Sequence, residues 1–302
     1  VRRNRSCPLP GGLAGFCVSP TNDLGADVTQ NKAKRNIVIY VIGVLLLATV
    51  GGLLTSTTGS DVGGLLFILG PILMMTLLRF MGGDGWQDAG LRLNLKAAWR
   101  WYLFSLLAYP VTIALVIVLG VILGVTTVAG DWDTLFASLL VGVAAQLIPR
   151  MLFALFEEWG WRGYLEPRLA ALNVPDLPRH LFVGLIWALW HFPLILSTDY
   201  TTIPYLIFLP MFTIGVVVAA IVYGQLRKHS GTVWTAVLLH GVGNTVAWAI
   251  LQSNLVTIQN KVLANFTPES LLVILIWGAL GWWLLSSRKV ARIGSGVSVH
   301  GR

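Results

Sequence analysis

The chain has 302 residues, 56% of them hydrophobic and only 11% charged, with a mean hydropathy of +0.75. Soluble domains carry about 25% charged residues, so a length that would suit roughly two soluble domains reads instead as one membrane bundle, all-α and polytopic. The net charge of +8 does not point to nucleic acid, because the basic residues are dispersed at the margins of apolar segments, where membrane topology puts them.

Residues 1–35 are polar and basic, contain Gly and Pro, and lack the apolar stretch of a signal peptide. They are expected to form a disordered cytoplasmic tail. Cys7 and Cys17 lie in it and make neither a disulfide framework nor a metal motif. About 20 apolar residues cross a bilayer core, and eight stretches qualify or come close: approximately 37–55, 62–80, 102–128, 134–157, 181–197, 203–226, 232–251 and 270–287. They define one membrane domain over 36–288, with a second cytoplasmic tail at 289–302.

Loop charges orient the spans. Lys32, Lys34 and Arg35 precede the first, and Arg79, Arg92, Lys96 and Arg100 follow the second. Arg162, Arg168 and Arg179 follow the fourth, Arg227 and Lys228 the sixth, and Arg288, Lys289 and Arg292 the eighth. The alternate loops hold Asp61, Asp131, Asp133 and Asp199 with one lysine, Lys261. Both termini are therefore expected in the cytoplasm, in agreement with an even number of spans. Residues 85–101 read equally as a short interfacial element or as a connecting loop. No internal repeat is visible, which weakens a transporter built from inverted halves.

Ionisable groups in hydrocarbon cost about 2.5–3.5 kcal/mol each on insertion scales, so those inside or abutting apolar runs are the candidates for chemistry. Glu157 and Glu158 follow directly on the fourth run, as though closing its helix at the cytoplasmic end. Glu158 and Arg162, four apart, can pair on one helix face, while Glu157 points about 100° away; the bland alternative is two solvated acids at a helix end. His191 lies deep in the fifth span ahead of Pro193, where it can either serve a site or bond a carbonyl freed by the proline. His240 and Asn244 share a face of the seventh helix, with Gly241 and Gly243 between them. That pair suits hydrogen bonding to a developing oxyanion, or interhelical packing. Arg150 follows Pro149 inside the fourth span and has no firm account beyond snorkelling or pairing with a nearby acid. Trp159, Trp161, Trp187 and Trp190 read as interface anchors or packing.

Glu-Glu-x-x-x-Arg at 157–162, aromatic-x-x-x-His at 187–191 and His-x-x-x-Asn at 240–244 resemble the three motifs of the CAAX-protease and bacteriocin-processing family. These are intramembrane endopeptidases that include the eukaryotic Ras-converting enzyme. The fuller strings around Glu157 and His191 resemble its prokaryotic branch, which implies a plasma-membrane protein, and the likeness spans roughly 135–250. One departure is Trp187, where the family usually has Phe; an effect on packing is expected. The resemblance implies that Glu157 acts as general base on a water that His191 helps to hold, that His240 and Asn244 stabilise the oxyanion, and that Glu158 and Arg162 support the site. The implied partners are membrane lipids and a peptide or membrane-protein substrate, with or without a lipid modification. Two carboxylates and two histidines are also a donor set for zinc, but His-Glu-x-x-His is absent, and a metal-free route is slightly preferred.

Two other functions stay open at this level. One is a non-catalytic immunity or scaffold protein of the same fold, which would have no need of Glu157 and His191 together. The other is a proton-coupled transporter using the same intramembrane groups. The carboxyl-terminal residues are not themselves a prenylation signal, and self-association is not fixed by the sequence.

Overall fold

The computed structural model describes residues 21–129 and 132–294, with the side chains of 30–129 and 136–287. Residues 1–20 with Cys7 and Cys17, Asp131, the Asp133 side chain and the expected tail from 295 onward lie outside the described residues. Nine helices are described: α1 Thr21–Thr58, α2 Asp61–Phe80, α3 Leu95–Ile122, α4 Trp132–Gly160, α5 Glu166–Ala171, α6 Asp176–Ser197, α7 Tyr205–Ser230, α8 Trp234–Gln252 and α9 Leu271–Gly294. Seven helical stretches are long and apolar enough to cross a bilayer, and the eighth, Leu271–Ser287 of α9, is apolar but shorter. The chain is an all-α polytopic membrane protein.

Local chemistry sets the helix limits. Ser60 caps α2 by accepting from the Val62 N–H at 3.2 Å, with Asp61 in the first turn against the positive end of the helix dipole. Gly231 ends α7 at φ +70°, a left-handed conformation that glycine adopts without a Cβ clash, and its N–H reaches the Arg227 carbonyl at 3.1 Å.

The structure corrects the sequence reading in three places. Helix α1 starts at Thr21, so residues 21–35 are helical rather than part of an irregular tail; Lys32 Nζ and Asn36 Nδ2 tie this end to the carbonyls of Gly83 and Gly82 at 2.7 and 3.2 Å. The third span runs over 95–122 instead of 102–128. Gly124, at φ +70°, breaks the helix, and β-branched Thr126–Val128 form strand β1, antiparallel to β2 (Val256–Ile258) with Thr127 opposite Thr257. The fourth span does not end at Glu157 and Glu158: α4 continues through a π turn, Trp161–Leu165, into α5.

Helix α1 packs on α2 and α6, α4 on α8 and α2, α6 on α7, α3 on α8, and α9 on α7. The interior is aromatic: Tyr40, Trp161, Tyr164, Trp190, Tyr223 and Trp277 are fully buried. Trp161 and Trp190 are therefore packing residues and not interface anchors. The outer surface exposes Met81, Ile122, Leu206 and Trp282, as hydrocarbon contact requires.

Candidate active site

Glu157 lies partway along a continuous helical rod, not at its end. Gly160, one turn on, packs directly against Pro71 halfway along α2, and both glutamates are buried. The expectation of acids at a helix end is thus corrected, because the π turn carries the helix past them. A π turn leaves carbonyls without their usual α-helical partners and often marks functional positions. Here the Gly163 carbonyl accepts from the Arg79 guanidinium.

Behind the site, Arg162 and Glu158 form an ion pair of 3.0 Å between two side chains with no solvent exposure. The guanidinium lies between the rings of Trp187 and Tyr223, 4.4 and 4.7 Å from their centroids. The same Glu158 oxygen faces His240 Nδ1 at 3.0 Å. One carboxylate thus holds both the arginine of its own helix and the histidine of α8.

Glu157 is held differently. Its Oε2 accepts from Trp187 Nε1 at 2.8 Å, while Oε1 is 3.9 Å from His240 Nε2, too far for a direct hydrogen bond. Trp187 was expected to alter packing alone. The structure makes it a hydrogen-bond donor to Glu157, which a phenylalanine cannot be. The indole N–H in the inventory of polar groups was the signal that could have found it.

His191 sits among Phe67, Trp190 and Phe212, with ring centroids 5.9, 4.7 and 5.2 Å away. Its Nδ1 is 2.9 Å from the Trp187 carbonyl oxygen. A carbonyl only accepts, so Nδ1 carries the proton and Nε2 keeps its lone pair in the neutral ring. Asn244, one turn along α8 from His240, is exposed. The glycines between them admit neighbours: Met151 of α4 occupies the space a Gly241 side chain would take, and Tyr109 of α3 that of Gly243.

Glu157, His191, His240 and Asn244 all line one cavity of about 670 Å³, together with Trp187, Tyr223 and Arg150. Glu158 and Arg162 stand behind its wall. The cavity runs away from the basic end of the bundle, toward Asp61, Tyr200, Thr267 and Pro268. It also reaches Leu65 and Phe153 on the lipid-facing exterior. The basic end is covered by residues 81–94. Carbonyls of Asp88, Gly90 and Leu91 accept from Arg227, the Val233 N–H and Trp234 Nε1 at 3.0, 3.0 and 2.7 Å. Ion pairs of Arg79 with Asp88 (2.9 Å) and Arg168 with Asp84 (3.6 Å) secure the same segment. Residues 85–94 are thus a folded-over loop, and only 95–101 belong to a helix.

Outside the spans, burial pushes the Glu269 carboxyl above its ordinary value despite hydrogen bonds from Thr267 and Asn265. Burial likewise pushes the Tyr200 phenol up, helped by the nearby carboxylates of Glu269 and Glu157. Among the described residues, no three His, Cys, Asp or Glu side chains converge to hold one metal ion, and Glu157 has an oxygen committed to Trp187.

Residues 145–246 match the family model described as Rce1-like, type II CAAX prenyl endopeptidase Rce1-like. No curated protein matches the chain.

Proposed function

We propose, from the Rce1-like domain of the CAAX-protease family at residues 145–246, that this membrane protein is an intramembrane endopeptidase whose catalytic residues are Glu157, His191, His240 and Asn244. The observation that carries the reading is their convergence, from three helices, on one cavity inside the bundle. A water held between the Glu157 carboxylate and the His191 Nε2 lone pair loses its proton to Glu157 as its oxygen attacks the scissile carbonyl. The oxyanion that forms accepts from Asn244 and from His240 Nε2. To donate from Nε2 while Nδ1 donates to Glu158, His240 must carry both protons, and the Glu158 carboxylate supplies the counter-charge. Glu157 then returns its proton to the leaving amine.

Substrates are peptide segments at a membrane. A lipid-modified substrate is supported by the cavity's reach to the exterior at Leu65 and Phe153, where a chain in the hydrocarbon can pass into the site. The protein resides in the plasma membrane of a prokaryote with its basic ends in the cytoplasm, so the far end of the cavity faces the opposite side. Cleavage then takes place inside the bundle, where Glu157 is buried.

The test is purified protein in detergent with S-farnesylated and unmodified peptides, beside Glu157→Gln and His191→Ala. Wild type cleaves and both variants lose about 10²-fold or more, the usual scale for a positioned base. Equal cleavage by wild type and Glu157→Gln would refute the assignment. A chelator leaves wild-type cleavage intact if the chain's own residues activate the water, and abolishes it if a metal does.

A further inference from the structure

Tyr109, on α3, lies outside residues 145–246, the stretch that matches the family model, yet it lines the same cavity as Glu157, His191, His240 and Asn244. Two neighbours fix its ring. A Cβ at Gly243 would come within 2.4 to 2.7 Å of its Cδ2, Cε2 and Cγ atoms, so a glycine between His240 and Asn244 is what admits the ring. From α9, the Trp277 ring packs on it with centroids 4.4 Å apart, and Trp277 is itself held by donating from Nε1 to Thr112 Oγ1 at 3.2 Å.

A phenylalanine would serve that packing equally well. The hydroxyl needs a separate reason, because a phenol buried among apolar groups requires a hydrogen-bond partner. Its partner is the hydroxyl of Tyr223, which lines the same cavity with its ring edge-on to His240, centroids 5.9 Å apart. Two phenols bonded to each other use one O–H and leave the other without an acceptor. Among the described residues neither hydroxyl makes a further hydrogen bond, and Arg162, 4.7 Å from the Tyr223 ring centroid, is a donor only. The free O–H therefore takes its acceptor from whatever occupies the cavity beside His240 and Asn244.

We propose that Tyr109 is a catalytic residue: its hydroxyl donates a hydrogen bond to the substrate oxyanion, a third beside those from Asn244 and His240. Tyr223 donates to the Tyr109 oxygen, which aims the Tyr109 proton at the substrate and strengthens it as a donor. The phenol keeps its proton throughout, so no bond to it forms or breaks. A donor whose ring is fixed beforehand needs no reorganisation as the charge develops. The proposal rests on the endopeptidase reading of the cavity.

The experiment compares wild type, Tyr109→Phe and Tyr223→Phe, purified in detergent, by steady-state kinetics on the same peptides. Tyr109→Phe lowers kcat about 10²-fold, the scale for one oxyanion donor, with KM within about twofold of wild type. Tyr223→Phe loses less, since Tyr109 keeps a proton to donate. A phosphinate analogue of the peptide, tetrahedral and anionic where the oxyanion forms, separates a catalytic role from a structural one. Tyr109→Phe weakens its binding about as much as it lowers kcat/KM, while the cleavable peptide binds Glu157→Gln and Glu157→Gln/Tyr109→Phe alike. Unfolding temperatures in detergent show that each variant is folded. A Tyr109→Phe that does not fold, an unchanged kcat, an equal loss of phosphinate and peptide binding, or a larger loss in Tyr223→Phe overturns the proposal. Those results leave the endopeptidase reading standing as long as wild type cleaves and Glu157→Gln does not. No cleavage by wild type sinks that reading and this proposal with it.

Discussion

Replacing Arg162 by Met removes the cation from a pair with no access to water. Among the described residues Glu158 then keeps only His240 as partner. Removing one partner of a buried pair costs about 3–5 kcal/mol, whereas an exposed pair contributes about 1 kcal/mol or less. At about 2–4 °C per kcal/mol for a domain of moderate size, Arg162→Met lowers the unfolding temperature in detergent by roughly 6–20 °C. Glu158→Gln alone leaves the guanidinium uncompensated between two rings and is also costly. The double variant Glu158→Gln/Arg162→Met removes both charges, so its loss falls short of the sum of the two by about 1 kcal/mol or more. The assay is intrinsic tryptophan fluorescence during heating, for wild type and the three variants in one detergent. A loss for Arg162→Met no larger than that of a surface pair, or strict additivity in the double variant, would refute the reasoning.

Trp187→Phe removes the donor to Glu157 while keeping a ring over Arg162; kcat falls about tenfold, the lower range for a hydrogen bond to a charged group, with KM little changed, and steady-state kinetics at unchanged kcat would contradict it. Gly241→Val drives a side chain into Met151 and destabilises by about 1–3 kcal/mol or more, whereas Gly278→Ala, with open space around it, is neutral or slightly stabilising; equal unfolding temperatures for the two would undo the close-approach argument. Glu269, raised from its ordinary value of 4.5 by burial, holds its proton more tightly folded than unfolded. Its contribution is therefore fully present below the ordinary value and is lost as pH rises from there through the raised value. Glu269→Gln should flatten that slope in unfolding measured against pH, and an unchanged slope would remove the group from the account.

The bundle and the three motifs were legible because apolar run length and helical spacing are local properties of the chain. The pairing of Glu158 with Arg162 followed from four-residue spacing, and the structure adds His240 as a third member that no spacing could join to it. Residues 126–128 continued an apolar run and so read as helix; only the partner strand 256–258, far away in sequence, makes them a ribbon. Glu157 reads as the end of its helix because Trp161–Leu165 contains polar and aromatic residues that resemble a loop, while the structure keeps that stretch helical and packs it against Tyr40 of α1 and Arg79 of α2. Arg150 had no account because the cavity it lines is assembled by other helices.

The π turn also makes the chain's local length a matter of phase. Deleting one residue within Trp161–Leu165 would turn all of α5 by about 100° about its axis and draw it back by about 1.5 Å. Glu166 would leave His180, now 3.2 Å away, and Arg168 would leave Asp84. Most helices absorb a missing residue by shifting a loop, but here the segment covering the basic end grips the rod on the far side of the turn. A single-codon deletion within the turn thus breaks the contacts of α5 with the covering segment and with α6.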